Sequence, residues 1–254
     1  FLHAALTDAM EGTVTTLPGL SVTGQEVGPA GVAAILSDGQ RLTARLLVGA
    51  DGRESGVATR AGIRRQGWDY GQTALVAAID HALPHQGIAH QYFMATGPLA
   101  ILPLPGNRSN IVWSETTANA AAIAALDDAA FLSVLRPRFG DFLGDLSLAG
   151  PRFSYPLSLS LAERYAADRV VLVGDSAHGV HPIAGQGLNL GLRDVAALAE
   201  VLVDAARRGE DIGSTLVLER YQAWRRPDAT TLALGMDGVN RLFRDSLSAT
   251  PWAI

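Results

Sequence analysis

At 254 residues the chain is long enough for one large domain or two small ones. Hydrophobic residues make up 48% and charged residues 18%, which supports a sizeable core and excludes wholesale disorder. The net charge of −5 argues against nucleic acid as the main partner, and the absence of cysteine excludes disulfides, thiolate metal sites and a cysteine nucleophile.

In chain order, Leu2 to Met10 reads as a short helix. The start, Phe1-Leu2-His3, lacks an initiator methionine and a signal-peptide charge pattern, and reads as the interior of a longer chain. Strand patterns follow at Leu20 to Val27 and Val32 to Leu36, with Asp38-Gly39 predicting a tight hairpin whose two central residues have positive φ. Leu42 to Val48 is predicted as one strand that runs into Gly49-Ala50-Asp51-Gly52. A β-rich stretch comes next, with strands at Thr73 to Ile79, His90 to Met94, Leu99 to Leu104 and Asn110 to Trp113, punctuated by proline and glycine. Ala118 to Leu135 reads as a helix stopped by Pro137, and Pro151 to Leu159 is extended. Val170 to Val173 forms a β-branched run ending in Gly174-Asp175, and a helix follows from Leu188 to Val203. That helix is the longest apolar stretch, yet Arg193, Asp194 and Glu200 interrupt it, short of the roughly 20 apolar residues of a membrane span. Thr215 to Phe243 is helical again, with a kink or restart expected near Arg226 because Pro227 removes a backbone donor.

Two strands therefore end in an acid and glycine, one on each side of a β-rich insertion. The order predicts a mixed α/β and α+β fold, with a Rossmann-like nucleotide layer interrupted by a mainly antiparallel sheet and closed by C-terminal helices. The expected divisions are 1–66, 67–160 for the sheet, 161–206 for the return to the nucleotide layer, and 207–254 for the final helices.

The segment 169–202 carries most of the chemistry. Gly185-x-Gly187 with Gly191 is not a dinucleotide fingerprint: the spacing is G-x-G-x-x-x-G, and the glycines lie well past the strand end. They fit better as the start of a helix whose free N–H groups welcome an anion, or as a close helix–strand contact without a ligand. Asp51 and Asp175 are either turn residues or carboxylates that accept ribose hydroxyls. His178 and His181 invite a hydrolase triad, but there is no G-x-S-x-G elbow, and no third metal ligand stands at a sensible spacing. They read as hydrogen-bonded loop histidines, and Arg193-Asp194 as a surface or interdomain pair. Tyr92, Phe93 and Trp113 suit core packing better than a ligand platform.

GDSAHGVHPIAGQGLNLGLRD resembles the second flavin-contacting motif of flavin-dependent aromatic hydroxylases with the p-hydroxybenzoate hydroxylase fold, and LLVGADGRES resembles their Asp-Gly motif. The stretches WDYGQTALVAAIDHALPHQGIAHQYFMATGPLAILPLP, IVWSE and ERYQAWRRPDATTLALGMDGVNRLF are similar to the branch that hydroxylates ubiquinone precursors. The resemblance implies FAD as cofactor, NAD(P)H and O2 as co-substrates, and a small aromatic substrate. It implies that Gly174 and Asp175 hold ribitol or ribose hydroxyls, that Pro182 lies against the isoalloxazine, and that Gly185, Gln186, Gly187, Leu188 and Asn189 face its pyrimidine edge. Asp51 and Gly52 would sit near the pyrophosphate, and Tyr92, Leu104, Trp113 and His181 would line the substrate pocket; no catalytic base is identified. The family's arginine three residues after Ser55 is Ala58 here, and its opening G-x-G-x-x-G unit is not in the chain, so the sequence reads as an N-terminally truncated fragment. A cytoplasmic location is expected, with room for association with a membrane surface or a multi-enzyme complex. The alternatives are a non-catalytic hydroxylase-like subunit and a flavin dehydrogenase of the same fold.

Overall fold

The computed structural model describes residues 2–249. An exposed helix α1 (Leu2–Met10) precedes a meander of β1 (Val22–Gly28), β2 (Gly31–Leu36) and β3 (Arg41–Ala44). Then come β4 (Leu47–Gly49), the short α2 (Gly56–Arg60), the long β5 (Arg65–His81), β6 (His90–Met94), β7 (Gly97–Leu104) and β8 (Arg108–Thr116). Two helices follow, α3 (Thr117–Ala124) and α4 (Asp128–Phe139), then β9 (Leu146–Leu148) and β10 (Phe153–Ala162). The chain closes with β11 (Ala166–Ala167), β12 (Val170–Leu172), β13 (His178–Gly179), α5 (Gly187–Arg207) and α6 (Thr215–Ala249).

The mixed α/β architecture matches the sequence expectation. The large antiparallel sheet runs β13-β10-β5-β8-β7-β6, with β9 also on β5. A small sheet, β11-β12-β4, holds the parallel pair β12–β4, and among the described residues β4 has no strand on its other edge. Residues of β5 alternate between the two faces of the large sheet. Leu75, Ala77 and Ile79 join a core with Ile101, Trp113, Phe131, Leu135 and Phe139, backed by α3 and α4. Tyr70 and Ala74 face the other way, into a core with Leu157, Leu159, Leu172, Leu190 and Tyr221.

Five local expectations are corrected. The predicted strand 42–48 divides at Arg45-Leu46: β3 stays with the meander while β4 pairs with β12. At the Asp38-Gly39 hairpin only Gly39 has positive φ, +87°. Its N–H reaches the Leu36 carbonyl, and the Asp38 carboxylate accepts the Gln40 N–H, so the loop is a three-residue turn with a bulge. The helix predicted over 118–135 breaks at Asp127, whose side chain accepts the Ala130 N–H and caps a new helix. Pro137 sits inside α4, since only one main-chain bond is forgone near its end and buried Phe131, Leu135 and Phe139 hold that face. Likewise α6 continues through Pro227 without a restart, because Tyr221, Arg225, Ala229 and Ala233 are buried on both sides of it.

Candidate functional site: the loop between two acid-tipped strands

Strands β4 and β12 run side by side in parallel, pairing Leu47 with Val170 and Gly49 with Leu172. Both therefore deliver an acid to the same end of the small sheet, as the Gly-Ala-Asp and Val-Gly-Asp sequences require. Beyond β4, Asp51 accepts the Ser55 hydroxyl on Oδ1 and the Val57 N–H on Oδ2, at 3.0 Å for the latter. Burial pushes its pKa up, but these hydrogen bonds outweigh it and hold the carboxyl below its ordinary 3.8. Asp51 thus shares the start of α2 with Ser55, whose Oγ accepts the Ala58 N–H. Gly52 takes φ +82°, where no neighbour limits a Cβ, so the turn itself requires glycine.

The second acid is used differently. Gly174 (φ +61°) opens a single 3₁₀ turn, Gly174–Ser176, and Asp175 remains half-exposed. Arg53, next to Gly52, reaches across from the first turn. It donates through Nε to Asp175 Oδ2 (3.2 Å), through Nη1 to the Ser158 carbonyl (3.0 Å) and through Nη2 to the Val180 carbonyl (2.8 Å). Arg65 donates to the Asp175 and Ser176 carbonyls from the sheet side. Two arginine forks therefore fix the backbone of 175–180, a task suited to the several donors of a planar guanidinium. The sequence signal for Arg53, a cation beside the Asp-Gly turn, was open to view; nothing local marks Arg65.

Asp194, read from the sequence as part of a surface or interdomain pair, is fully buried and is the hub beneath this loop. Its Oδ2 accepts the Gly174 N–H (2.9 Å) and faces His178 Nε2 (2.6 Å), while Oδ1 accepts Arg225 Nε (2.8 Å). Burial opposes its charge, but His178, Arg225 and the Gly174 amide together lower its pKa. The reason for its burial is helical phase: Asp194 shares the buried face of α5 with Leu190, Ala197 and Val201. Arg193 is the partner that stays outside, 3.5 Å from Asp228.

His181 is buried and caps the turn Pro182–Ala184, accepting the Ile183 N–H on Nδ1 at 3.1 Å. Burial, then the charge of Arg53, pushes its pKa down to about 4, so the ring is neutral at pH 7. Its ring stands edge-on to Tyr70, 4.9 Å between centroids. Pro182 is half-buried, and Gly185 (φ +60°) turns the chain into α5. At Gly185 and Gly187 an added Cβ would meet nothing within 4 Å, and Leu188 and Asn189 are exposed. The helix start thus presents open backbone together with first-turn amides that helical geometry leaves without an acceptor in their own helix.

Across from this turn lies the large sheet. Gln91 donates to the Ile183 carbonyl at 2.8 Å, and a cleft is lined by Gln91, Pro98, Ala100, Val112 and Ser114 on the sheet and Pro182 and Ile183 on the loop. Three expected pocket residues are elsewhere. Trp113 and Tyr92 sit one position out of phase and point to the opposite face, Trp113 against Phe131 and Tyr92 beside His90. Leu104 ends β7, four residues beyond Ala100 on the strand, and its carbonyl accepts a bond from His85. Gln91, Val112 and Ser114 take their place. Alternation would have found them once one buried residue on each strand had been assigned its face.

Two acid-tipped parallel strands, a helix start with bare backbone and a sheet roofing the intervening loop have the arrangement of a nucleotide-binding layer. Residues 5–234 match the family described as FAD binding domain, and the chain belongs to that family. It is 50% identical to ubiquinone hydroxylase UbiL of Rhodospirillum rubrum over 218 residues, covering 86% of this chain and 51% of the relative. It is 37% identical to the 3-demethoxyubiquinol 3-hydroxylase of Escherichia coli over 203 residues, covering 80% and 51%. The crystal structure of PqsL, a probable FAD-dependent monooxygenase from Pseudomonas aeruginosa, superposes with a TM-score of 0.80 at 26% identity, covering 98% of this chain and 72% of that one. The chain spans about half the length of the curated relatives it matches.

Proposed function

We propose that this chain carries the isoalloxazine side of an FAD site, and that the whole protein hydroxylates an aromatic ring, a prenylated phenol of the ubiquinone-precursor kind, using NAD(P)H and O2. The observation that carries the reading is the apposition of Pro182 and the open start of α5 to a cleft roofed by the sheet. Asp175 and the Gly174 backbone would take ribityl or ribose hydroxyls, Pro182 would lie against the flavin ring, and Gly185 to Asn189 would face its pyrimidine edge. Asp51 and Gly52 would shape the turn on the pyrophosphate side. When bound, the flavin supplies the oxygen chemistry.

The chain's own residues have narrower tasks. The α5 start would direct amides and the positive end of a helix dipole at charge on the ring's edge, an electrostatic arrangement fixed before the reaction. Arg53 and Arg65 keep the loop from moving away from that position. Val112, Ala100 and Pro98 give the cleft apolar walls that exclude water, and neutral His181 adds no charge beneath it. A prenylated substrate partitions into lipid, so the reading puts the protein in the cytoplasm at a membrane surface or in a complex with neighbouring enzymes. No described helix is long and apolar enough to cross a membrane.

The test is ¹⁸O2 turnover by the purified full-length protein with a prenylated phenol and NAD(P)H. One ¹⁸O atom in the ring hydroxyl is expected. Oxidised product without ¹⁸O would instead identify a dehydrogenase, and flavin retention without any NAD(P)H oxidation would identify a non-catalytic subunit.

A further inference from the structure

The cleft between the large sheet and the loop has mainly apolar walls: Pro98, Ala100 and Val112 on the sheet stand across from Pro182 and Ile183. Among the described residues that line it, only Gln91 and Ser114 are polar and none is charged. Gln91 holds the loop, since its Nε2 donates to the Ile183 carbonyl at 2.8 Å. Ser114 is 1% exposed, and its hydroxyl has no hydrogen-bond partner among the described residues. A buried hydroxyl without a partner is costly, and one that lines a cleft can be satisfied by a ligand atom.

The surroundings fix this serine without satisfying it. Gly97 (φ +143°) packs against Ser114 and Gln72: an added Cβ would stand 2.8 Å from Ser114 Cβ and 2.9 Å from Gln72 Nε2. The Gln72 amide is itself engaged on both sides. It donates to the Thr96 carbonyl at 2.9 Å and accepts from Asn240 Nδ2, on α6, at 3.2 Å. Ala74, the partner of Ser114 across β5 and β8, and Val112, two residues back on the same face, offer no side-chain polar atom. The cleft holds about 20 Å³, room for one oxygen-sized group and not for a ring.

We propose that Ser114 orients the aromatic substrate by hydrogen-bonding one neutral oxygen substituent of its ring, a hydroxyl or a carbonyl, which enters the cleft while the ring stays at its mouth. The inference rests on the reading of this cleft as the place where substrate meets flavin. A serine hydroxyl can donate to either oxygen and can also accept from a phenol. With no cation in the walls, a carboxylate would lose its hydration without gaining a counter-charge, so the neutral group is the one that fits. The anchor fixes the rotation of the ring in its own plane, and with it the ring carbon offered for oxidation.

2-Geranylphenol and geranylbenzene, which differ in a single ring hydroxyl, are the probes. Their affinities for the purified full-length protein are read by equilibrium dialysis, which needs no turnover. The wild type is expected to bind the phenol about tenfold more tightly, the scale of one hydrogen bond to a buried group otherwise left unpaired. Ser114→Ala should remove that preference by weakening the phenol alone, with the geranylbenzene affinity unchanged. In turnover the same variant should convert a single hydroxylated product into a mixture of ring positions. Ala100→Leu fills the cleft from β7 and leaves the serine in place; it should abolish the preference too, and it decides the matter if Ser114→Ala does not fold. Equal wild-type affinity for the two probes, or a preference that survives both variants, overturns the proposal. A preference lost in Ser114→Ala, with no ¹⁸O in any wild-type product, upholds the role of Ser114 and refutes hydroxylation. Product carrying ¹⁸O at an unchanged position from Ser114→Ala, with unchanged affinity for the phenol, does the reverse.

Discussion

Asp51 and Asp175 stand at the ends of adjacent parallel strands and look interchangeable in the sequence, yet the structure uses them in opposite ways. Asp51 has a helix close behind it. Within six residues both of its oxygens are taken by Ser55 and the Val57 amide, and the carboxylate serves its own chain. Asp175 has no helix within reach: a 3₁₀ turn and the loop through Gly185 intervene before α5 begins. One of its oxygens is steadied by Arg53, the residue remains half-exposed, and the α5 start is left uncapped by it. An acid at a strand end is therefore not a role in itself. The distance to the next helix decides whether it caps or stays available to a ligand.

That contrast can be broken or sharpened by four measurements. The largest effect is expected at the support beneath the second acid. Asp194→Ala leaves the Gly174 amide and His178 without their acceptor and takes from buried Arg225 one of its two carboxylates, Asp228 remaining, and should cost about 3–5 kcal/mol in urea unfolding. A loss near zero would show that the loop holds Asp175 in place without this hub. Next comes pH. His181 has its pKa lowered from 6.5 to about 4 in the folded chain. The unfolded chain therefore takes up a proton before the folded one does as pH falls. The stability is full above pH 6.5 and is lost as pH drops towards 4, by about 3 kcal/mol. His181→Asn, whose Oδ1 can still accept the Ile183 N–H, should flatten the stability profile in that window. An unchanged slope would assign it to another group.

The two acids themselves give smaller, opposed effects. Asp51→Ala should lower stability by about 1 kcal/mol, the cost of a helix cap, while FAD affinity stays within about twofold. Asp175→Asn should change stability by less than about 0.5 kcal/mol yet weaken FAD binding about tenfold, read by flavin fluorescence. If the two variants behaved alike in both assays, the distinction drawn here would fail.

How much of the site was legible in the sequence can be judged residue by residue. The acid-tipped strands, the glycine turn at Gly185 and the helix start at Gly187 were visible, because each is a local rule: a β-branched run, a positive-φ position, an apolar helical period. The sheet residues facing the loop were not. Tyr92 and Trp113 were placed in the pocket by the resemblance alone, whereas their size pointed to core packing, which Trp113 follows; a strand alternates its faces, and which parity points to the loop depends on which strands lie beside it. The place of Asp194 stayed open between a surface and an interdomain contact for the same kind of reason, since its burial follows from how α5 is rotated against the loop carrying Gly174. Arg65 is 110 residues from the carbonyl of Asp175 that it holds, and no spacing rule connects them.

All 20 cationic side chains of the chain are arginine. That composition supplied the means for long-range stapling, and Arg53, Arg65 and Arg169 each use it to bind backbone carbonyls far along the chain. The sequence by itself determined the elements, the order in which the small sheet is left and regained, and the residue types able to hold a dinucleotide. Only the tertiary structure decided which acid is spent on capping, which face of each strand meets the loop, and which arginine binds which carbonyl. The physical reason is range. Turn, cap and periodicity energies act over a few residues of chain, whereas face, register and pairing are set by the packing of segments that meet only after folding.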